Sequence, residues 1–335
     1  MSPTEPSAPE SIRTERADIM LDPVVGFFLL GLVARLGRSD LRVPEALYEA
    51  LSIYLLLAIG IKGGLQLAQQ PLAEVWPVAA AAMVWSALIP LLLIPVLRIV
   101  VRLDGINAAA VAAHYGSVSV VTFAVAQGAV MARGWEPAPW LALLVALMEA
   151  PGIVVGVILA RRALNETRGT QPQSWGQVLH EVFFGKAIVL LTGGLLIGWV
   201  FGPKAFEPLD PLFSALFKGV LALFMLELGL VVAQRLPQLR RAGFRLVAFA
   251  IAAPLSLGLA GAWLAMMLGL PIAGMVIFAT LSASASYIAA PTALRMAVPQ
   301  ADPALSIGAA LGVTFPFNVL VGIPIYMAWV EWLMA

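Results

Sequence analysis

Long, unbroken apolar runs are the feature of this sequence that most restricts its fold. Hydrophobic residues make up 61% of the chain and charged residues 12%, with a mean hydropathy of +0.93, which is far from the composition of soluble domains. A membrane-spanning helix needs about 20 apolar residues, so roughly ten such helices would use the whole chain. Barrel strands would instead alternate polar and apolar residues. The sequence therefore predicts an all-α polytopic membrane protein.

The composition excludes several classes of function. The chain has no cysteine, which rules out disulfides, thiolate nucleophiles and cysteine-ligated metals. A formal net charge of +1 supplies no strong positive field for nucleic acid. Only two histidines, His114 and His180, are present, too few for a histidine metal cluster. We therefore expect neither an enzyme nor a nucleic-acid-binding protein, and no cofactor.

Polar segments divide the chain into a tail, two membrane units and a linker. Residues 1–22 are polar and proline-containing, which is typical of a disordered tail. Residues 23–162 and 185–335 each contain five apolar stretches, and the polar residues 163–184 link them. The ten predicted helices lie near 23–37, 45–68, 75–101, 104–131, 139–162, 185–202, 209–234, 244–269, 271–297 and 304–333.

The two membrane units also resemble each other. The sequence GLQLAQ from Gly64 ends the second predicted helix, and GLVVAQ from Gly229, 165 residues later, ends the seventh. SVS from Ser117 in the fourth helix and SAS from Ser284 in the ninth match at an offset of 167. Two matches in nearly one register indicate a duplication. Because each unit has an odd number of spans, the second is predicted to be inverted, as in many secondary transporters.

Lysine and arginine are distributed unequally between the loops. Apart from Lys62 and Lys218, which lie inside predicted helices, the odd-numbered loops, including the central linker, carry fourteen of these residues, whereas the opposite side carries four: Arg13, Arg16, Arg133 and Lys204. The positive-inside rule places the richer side in the cytoplasm. Both termini are therefore predicted to lie outside.

Two Ser-x-Ser pairs are the strongest site candidates. Ser117 and Ser119 lie in the fourth predicted helix, and Ser284 and Ser286 lie at equivalent positions in the ninth. Side chains two residues apart point in different directions from a regular helix, so both reach one ligand only where the helix is unwound. The alternative is that serines simply allow close helix packing.

Both serine-containing helices carry features that favour a break. Pro291 lacks a backbone donor and disfavours helix before it, which predicts a break near residues 287–290 and a half-helix that begins at Pro291 with Thr292 in its first turn. Gly116 and the β-branched run through Thr122 weaken the fourth helix at the matching place. Two broken helices that cross would offer positive helix ends to an anion, and hydroxyl and carbonyl oxygens to a sodium ion.

Charged and polar residues inside the spans are further candidates. Glu149 is expected to face the protein interior as an ion-binding or proton-linked carboxylate, or to be fixed by hydrogen bonds. Lys62 and Glu227 occupy equivalent repeat positions and either pair with each other or extend to the interface. His114 is expected to be a hydrogen-bonded helix contact rather than a proton relay. Asn318 either satisfies carbonyls freed by the neighbouring proline or lines the site.

Several motifs are similar to the cyanobacterial sodium-dependent bicarbonate transporter family. They are RVPEA from Arg42, GIKGG from Gly60, GSVS from Gly116, MEAP from Met148, and in the C-terminal third the stretch from Ser284 to Arg295, IG at Ile307 and GIP at Gly322. The resemblance covers nearly all of the membrane part. It implies a divergent bacterial member in the cytoplasmic (inner) membrane.

The resemblance also implies an architecture and an activity. The chain would form a homotrimer, with a gate domain from helices 1, 2, 6 and 7 and a core domain from the rest, and would take up bicarbonate with sodium by an elevator-like movement of core against gate. The expected substrate-binding residues are Ser117, Ser119, Thr122, Ser284, Ser286, Tyr287 and Thr292. The expected ion-binding residues, with sodium at the same crossing, are Glu149, Ser119, Ser286, Thr314 and Asn318.

The chain departs from the family at the presumed site. Tyr287 stands where the family carries an aspartate, Glu149 replaces another aspartate, and Val120 and Val121 replace a Gly-Ser pair, although Thr122 is retained. These changes leave two alternatives: the same fold moves another small carboxylate or uses protons, or the chain is a transport-deficient sensor. The short central linker gives no reason to expect the family's cytoplasmic regulatory partner.

Overall fold

The regular structure of the chain is helical. The computed structural model describes residues 23–168, 176, 180 and 183–335, and contains no strand in these ranges. The predicted tail and most of the predicted linker lie outside the described residues. The helices are α1 (Pro23–Leu36), α2 (Glu45–Leu67), α3 (Leu72–Val96), α4 (Gly105–Gly116), α5 (Val120–Ala132), α6 (Ala142–Arg168), α7 (Lys186–Phe206), α8 (Phe217–Ala242), α9 (Phe244–Met267), α10 (Ile272–Ala283), α11 (Ala289–Ala297) and α12 (Pro303–Met334).

The helices confirm the prediction of an all-α polytopic membrane protein. Within the described residues, eight helical segments are long and apolar enough to cross a bilayer, with α4 and α5 counted together as one. Two apolar helices are shorter: α1 has 14 residues and α10 has 12. At 1.5 Å per residue, α1 is only about 21 Å long, against a hydrocarbon core of about 30 Å. Ten crossing helices therefore remain a prediction.

Glycines bring two pairs of helices into backbone contact, α1 with α8 and α2 with α7. A Cβ atom on Gly31 would lie 2.0 Å from the carbonyl oxygen of Leu226, and one on Gly64 would lie 2.0 Å from that of Leu195. In the opposite direction, a Cβ on Gly229 would meet the backbone of α1 at 2.1 Å. In membranes, where helix association lacks a hydrophobic driving force, such close packing of small residues is a principal source of contact energy.

Another glycine contact fixes the end of α4 against α6. A Cβ on Gly152 would lie 2.1 Å from the Gly116 carbonyl, so neither glycine has room for a side chain. The buried Ser86 hydroxyl lies 2.7 Å from the carbonyl oxygens of both Gly116 and Met148, and accepts from the Gly152 N–H at 3.1 Å. One serine on α3 therefore satisfies backbone groups of both helices.

Two helices are interrupted inside the membrane region. The interruption between α4 and α5 covers residues 117–119, as expected, and that between α10 and α11 covers residues 284–288. The second begins three residues earlier than predicted, and α11 begins at Ala289 rather than at Pro291. The difference arises because the first N–H groups of a helix have no intrahelical acceptor, so a proline is accommodated throughout the first turn.

Helix α12 contains two widened, π-helical stretches, Gly308–Thr314 and Asn318–Gly322. They flank Pro316, which cannot donate a hydrogen bond to the preceding turn. The distortion lies where the Thr314 side chain bonds to α9 and the Asn318 side chain bonds to α10. The C-terminal helix thus supports the interrupted segment from outside.

Candidate functional site

The serines of the first interruption have different roles. The Ser119 hydroxyl accepts a hydrogen bond from the Thr122 N–H at 3.2 Å and so caps the start of α5. Ser117 is fully buried, but its Oγ has no hydrogen-bond partner among the described residues. Since a buried hydroxyl normally finds a partner, Ser117 is the serine of this pair that is available to a ligand.

The serines of the second interruption are both engaged. The Ser286 hydroxyl accepts from the Ala290 N–H at 3.3 Å, which repeats the capping role of Ser119. The Ser284 hydroxyl donates to the Leu281 carbonyl at 2.8 Å. Ser284 therefore stabilises the end of α10.

The two interruptions exchange hydrogen bonds at equivalent positions. The Ser286 N–H donates to the His114 carbonyl at 2.7 Å. In the opposite direction, the Ser119 N–H donates to the Ser284 hydroxyl at 3.0 Å, which in turn donates to the Leu281 carbonyl. The 167-residue offset relates Ser119 to Ser286 and His114 to Leu281, so the two links join equivalent positions. The same contact is thus made twice, once directly and once through a serine hydroxyl.

The helix ends at this crossing are arranged for ions of both signs. Helices α5 and α11 begin there, with the partial positive charge of their first N–H groups, and α4 and α10 end there, with the partial negative charge of their last carbonyls. The sequence predicted this crossing from its serines, Gly116 and Pro291.

Tyr287 lies at the crossing, on the α11 side. Its side chain is buried and packs edge-on against Phe315, with ring centroids 5.3 Å apart. Its hydroxyl lies beside the Ser119 side chain and has no hydrogen-bond partner among the described residues. The tyrosine therefore brings a second free hydroxyl to the site.

Glu149 is buried in α6, three residues before the glycine that touches α4. Only 2% of its surface is exposed, and its Oε2 has no hydrogen-bond partner among the described residues. The two ion pairs found in the described part of the chain, Arg133–Glu331 and Lys186–Glu49, do not involve it. The sequence left two interpretations of Glu149, an ion-binding or proton-linked carboxylate and a carboxylate fixed by hydrogen bonds. The structure gives no such hydrogen bond to Oε2.

Other predicted site residues are placed differently. Thr292 is exposed, and its hydroxyl donates to the Ile288 carbonyl of its own helix at 3.1 Å, so it does not join the serine cluster. Thr122 is buried beside Ser119 and contributes its backbone N–H to the cap. The Thr314 hydroxyl donates to the Ala250 carbonyl and accepts from Tyr115, both at 2.6 Å.

Asn318 supports the crossing without facing a free space. Its Nδ2 donates to the Ala283 carbonyl at 2.8 Å, and its Oδ1 accepts from the Tyr326 hydroxyl at 2.7 Å. The carbonyl that it satisfies is therefore freed by the interruption of α10, not by the proline in its own helix. Such a contact between distant segments leaves no signal in the local sequence.

Lys62 and Glu227 do not form an ion pair. The Lys62 ammonium lies 4.0 Å from the centre of the Phe217 ring, a cation–π contact. Glu227 Oε2 is buried and has no hydrogen bond to the described residues. His114 donates from Nδ1 to the Ala110 carbonyl at 2.8 Å, which is the helix contact that the sequence analysis favoured.

A cavity of about 810 Å³ lies between α2, α5 and the segment that joins α7 to α8. A second cavity of about 510 Å³ also has Lys62 and Gln127 in its wall. Phe123, one residue beyond Thr122, lines the larger one. The polar and charged residues that line the larger cavity are Lys62, Gln66, Gln69, Gln127, Lys204, Glu207, Asp210 and Ser214.

Two residues near the crossing escaped the sequence analysis. Thr280, one turn before Ser284, is fully buried and its hydroxyl lacks a partner among the described residues. Ser86 connects α3 to the contact between α4 and α6. The first could have been found from its one-turn spacing to the serine pair, whereas the second depends on a contact 30 residues away in the chain.

The fold and the crossing define a class: a polytopic α-helical membrane protein with a polar centre built from interrupted helices. Residues 23–331 match the sequence model of the Na+-dependent bicarbonate transporter superfamily, and the chain belongs to this superfamily. The match confirms the resemblance seen in the sequence motifs. Membership of a transporter family implies that the chain is not an enzyme. No individual curated protein matches the chain.

Proposed function

We propose that the chain is a secondary active transporter that takes up a small anion, bicarbonate, together with sodium. The observation that carries the proposal is the crossing of two interrupted helices, where polar atoms of Ser117 and Tyr287 are buried without a partner among the described residues; Glu149 on α6 has another such atom. Leaving such atoms unsatisfied costs about 1–3 kcal/mol each. Superfamily membership supports bicarbonate as substrate and sodium as coupling ion.

The donor set at the crossing suits both ions. An anion would lie at the positive ends of α5 and α11 and accept hydrogen bonds from the hydroxyls of Ser117 and Tyr287. Sodium prefers hard oxygen ligands, and the crossing offers hydroxyl oxygens and carbonyls at the ends of α4 and α10, to which we propose that the Glu149 carboxylate is added. A ligand of each sign would screen the other and lower the cost of desolvating both.

The inverted-repeat topology is part of the proposal. It is supported by the hydrogen bonds that the interruptions exchange at a constant offset, and by Gly64 and Gly229, which both make close helix contacts although they lie 165 residues apart. The tightly packed pairs α1–α8 and α2–α7 would form the gate, and the other helices the core that moves against it. Assembly as a trimer in the inner membrane follows from the resemblance.

The larger cavity would admit the anion from outside. It lies near the C-terminal ends of α2 and α7, on the side that the lysine and arginine distribution predicts to be external. Lys62 and Lys204 present positive charges in its wall, and Glu207 and Asp210 balance them. The three glutamines of the lining provide hydrogen-bond donors that carry no charge.

The test is uptake of labelled bicarbonate into proteoliposomes under an inward sodium gradient, a proton gradient or neither. We expect sodium-driven uptake by the natural protein, and a loss of at least tenfold in Ser117→Ala. Ser256→Ala is the matched control, because Ser256 is an exposed serine that bonds only to carbonyls of α9. No uptake by the natural protein, but uptake by Tyr287→Asp, would refute sodium coupling in this chain and direct the search to other anions.

A second candidate function, proton-coupled uptake, is favoured by Glu149. A buried carboxylate with an unsatisfied oxygen can carry a proton across the membrane. In the same experiment, this alternative predicts uptake driven by the proton gradient alone and abolished in Glu149→Gln. Sodium-driven uptake that persists in Glu149→Gln would exclude it.

A further inference from the structure

A small cavity, lined mostly by apolar residues, lies apart from the serine crossing. It has a volume of about 90 Å³ and lies between α4, α11 and the first turns of α12, where Arg295 is exposed at its margin. Its polar lining consists of His114, Arg295 and Ser306, the remaining lining residues are apolar, and no carboxylate lines it. Since a water molecule takes up about 30 Å³, the cavity has room for about three waters or one four-atom oxyanion.

His114 lines this cavity and carries an unsatisfied hydrogen-bond acceptor. Its Nδ1 bonds to the Ala110 carbonyl, and because a carbonyl only accepts, the proton of the neutral ring is on Nδ1. Nε2 then carries a lone pair. The residue is completely buried, and Nε2 has no partner among the described residues. A ligand that satisfies it must donate a hydrogen bond.

Arg295 supplies the positive charge. It lies in the last turn of α11, and neither ion pair of the described residues includes it. The nearest carboxylate along the chain, Asp302, is occupied as the cap of α12, where it accepts from the Ala304 N–H at 2.8 Å. The guanidinium is therefore suited to pair with a planar oxyanion, which it can bind in a bidentate manner.

The cavity is joined to the crossing through the backbone of His114. The carbonyl of this residue accepts the Ser286 N–H, whereas its side chain lines the cavity. The cavity lies near the start of α4 and the end of α11, the side that the lysine and arginine distribution predicts to be cytoplasmic. It is placed to receive an anion that leaves the crossing inward.

We propose that this cavity is a second anion site, which binds one small planar oxyanion that carries one hydroxyl, the hydrogencarbonate class. Arg295 pairs with the ionised edge, and the anion's own O–H donates to His114 Nε2. Nitrate has the same shape but no proton to donate, and a site built to bond a hydroxyl discriminates against an analogue that lacks it. The identity of the anion rests on the proposed function.

The experiment counts bound anions on the whole chain in lipid nanodiscs. Equilibrium dialysis with labelled hydrogencarbonate at mildly alkaline pH is compared for the natural protein, Arg295→Gln and Arg98→Gln. Arg98 is an exposed arginine at the same end of the core that lines none of the cavities described here, so its variant controls for the lost charge. We expect two anions per chain in the natural protein and in Arg98→Gln, and one in Arg295→Gln, with nitrate displacing the second anion about tenfold less well than unlabelled hydrogencarbonate.

The outcomes separate this inference from the proposed function. If the natural protein binds only one anion per chain, and this anion is lost in Ser117→Ala but kept in Arg295→Gln, the second site is overturned and the crossing stands. One anion that is lost only in Arg295→Gln would support the second site and count against the crossing. Equal displacement by nitrate would refute the role of His114. The one anion that remains bound at the crossing in Arg295→Gln would show that this variant is folded.

Discussion

At the scale of single residues, the serines divide into those that hold the chain together and one that is free. Ser119 and Ser286 cap half-helices, and Ser284 connects the two interruptions. Ser117, the repeat equivalent of Ser284, has a buried hydroxyl without a partner in the described part of the chain. The duplicated motif thus supplies a structural hydroxyl in one half and a ligand hydroxyl in the other.

Alanine substitutions at this equivalent pair should therefore act differently. Ser284→Ala would leave the Ser119 N–H buried without its acceptor, and we expect the free energy of unfolding to fall by about 1–3 kcal/mol. Ser117→Ala breaks no hydrogen bond of the described structure and should change stability by less than about 0.5 kcal/mol while it reduces uptake. Thermal unfolding in detergent, combined with uptake, checks both. Equal destabilisation by the two variants would contradict this division of roles.

Asp104, in the turn before α4, gives a prediction for acid pH. Burial alone would raise the pKa of its carboxyl, but hydrogen bonds from the Asn107 backbone and side chain and from the Ile106 N–H outweigh this, and the pKa lies below its ordinary value. The ionised cap therefore stabilises the fold above the ordinary value of about 3.9, and this contribution is lost as the pH falls through the lowered pKa.

Asp104→Ala should accordingly lower stability by about 1 kcal/mol at neutral pH. The difference between the two proteins should shrink as the pH falls below the ordinary aspartate pKa and through the lowered pKa of Asp104. Unfolding curves at neutral and acid pH in the same detergent measure it. A difference that does not depend on pH would mean that the cap does not act through its charge.

At the scale of helices, the sequence predicted which helices are interrupted better than it predicted the exact residues at which each interruption begins and ends. The serine pairs, Gly116 and Pro291 indicated both breaks, because these residues weaken a helix locally. The early end of α10 was not predictable, since the Ala283 carbonyl and the Ser284 hydroxyl bond to Asn318 and Ser119, which are distant in the chain. Bonds between segments that are distant in the chain leave no periodic signal in the sequence.

Helix packing in the proposed gate gives a matched pair of substitutions on α7. A Cβ on Gly198 would lie 2.4 Å from the Ile61 carbonyl oxygen of α2, whereas one on Gly193 would meet nothing within 4 Å. Gly198→Ala should therefore destabilise the protein by about 1–3 kcal/mol, and Gly193→Ala should stabilise it by about 0.5–1 kcal/mol through helix propensity. The measurement is the unfolding midpoint of both variants. A stable Gly198→Ala protein would show that α2 and α7 can separate without cost.

At the scale of the whole molecule, the contacts agree with the proposed topology. The ion pair Arg133–Glu331, at 2.8 Å, connects two residues that the lysine and arginine distribution places outside. The pair Lys186–Glu49, at 3.2 Å, connects two that it places inside. Neither agreement is required by the sequence, because the partners lie 198 and 137 residues apart. A single arrangement of the chain across the bilayer therefore accounts for both.

This arrangement can be tested because the natural chain has no cysteine. Asp40→Cys and Glu136→Cys each replace an exposed acidic residue in a loop, at opposite predicted sides of the membrane. In intact cells a membrane-impermeant maleimide should label Glu136→Cys and leave Asp40→Cys unlabelled, whereas both should react after the cells are opened. The reverse pattern would invert the orientation and exchange the proposed entry and release sides. Labelling of both variants in intact cells would instead show that the two loops lie on the same side of the membrane, which would contradict the predicted number of helices between them.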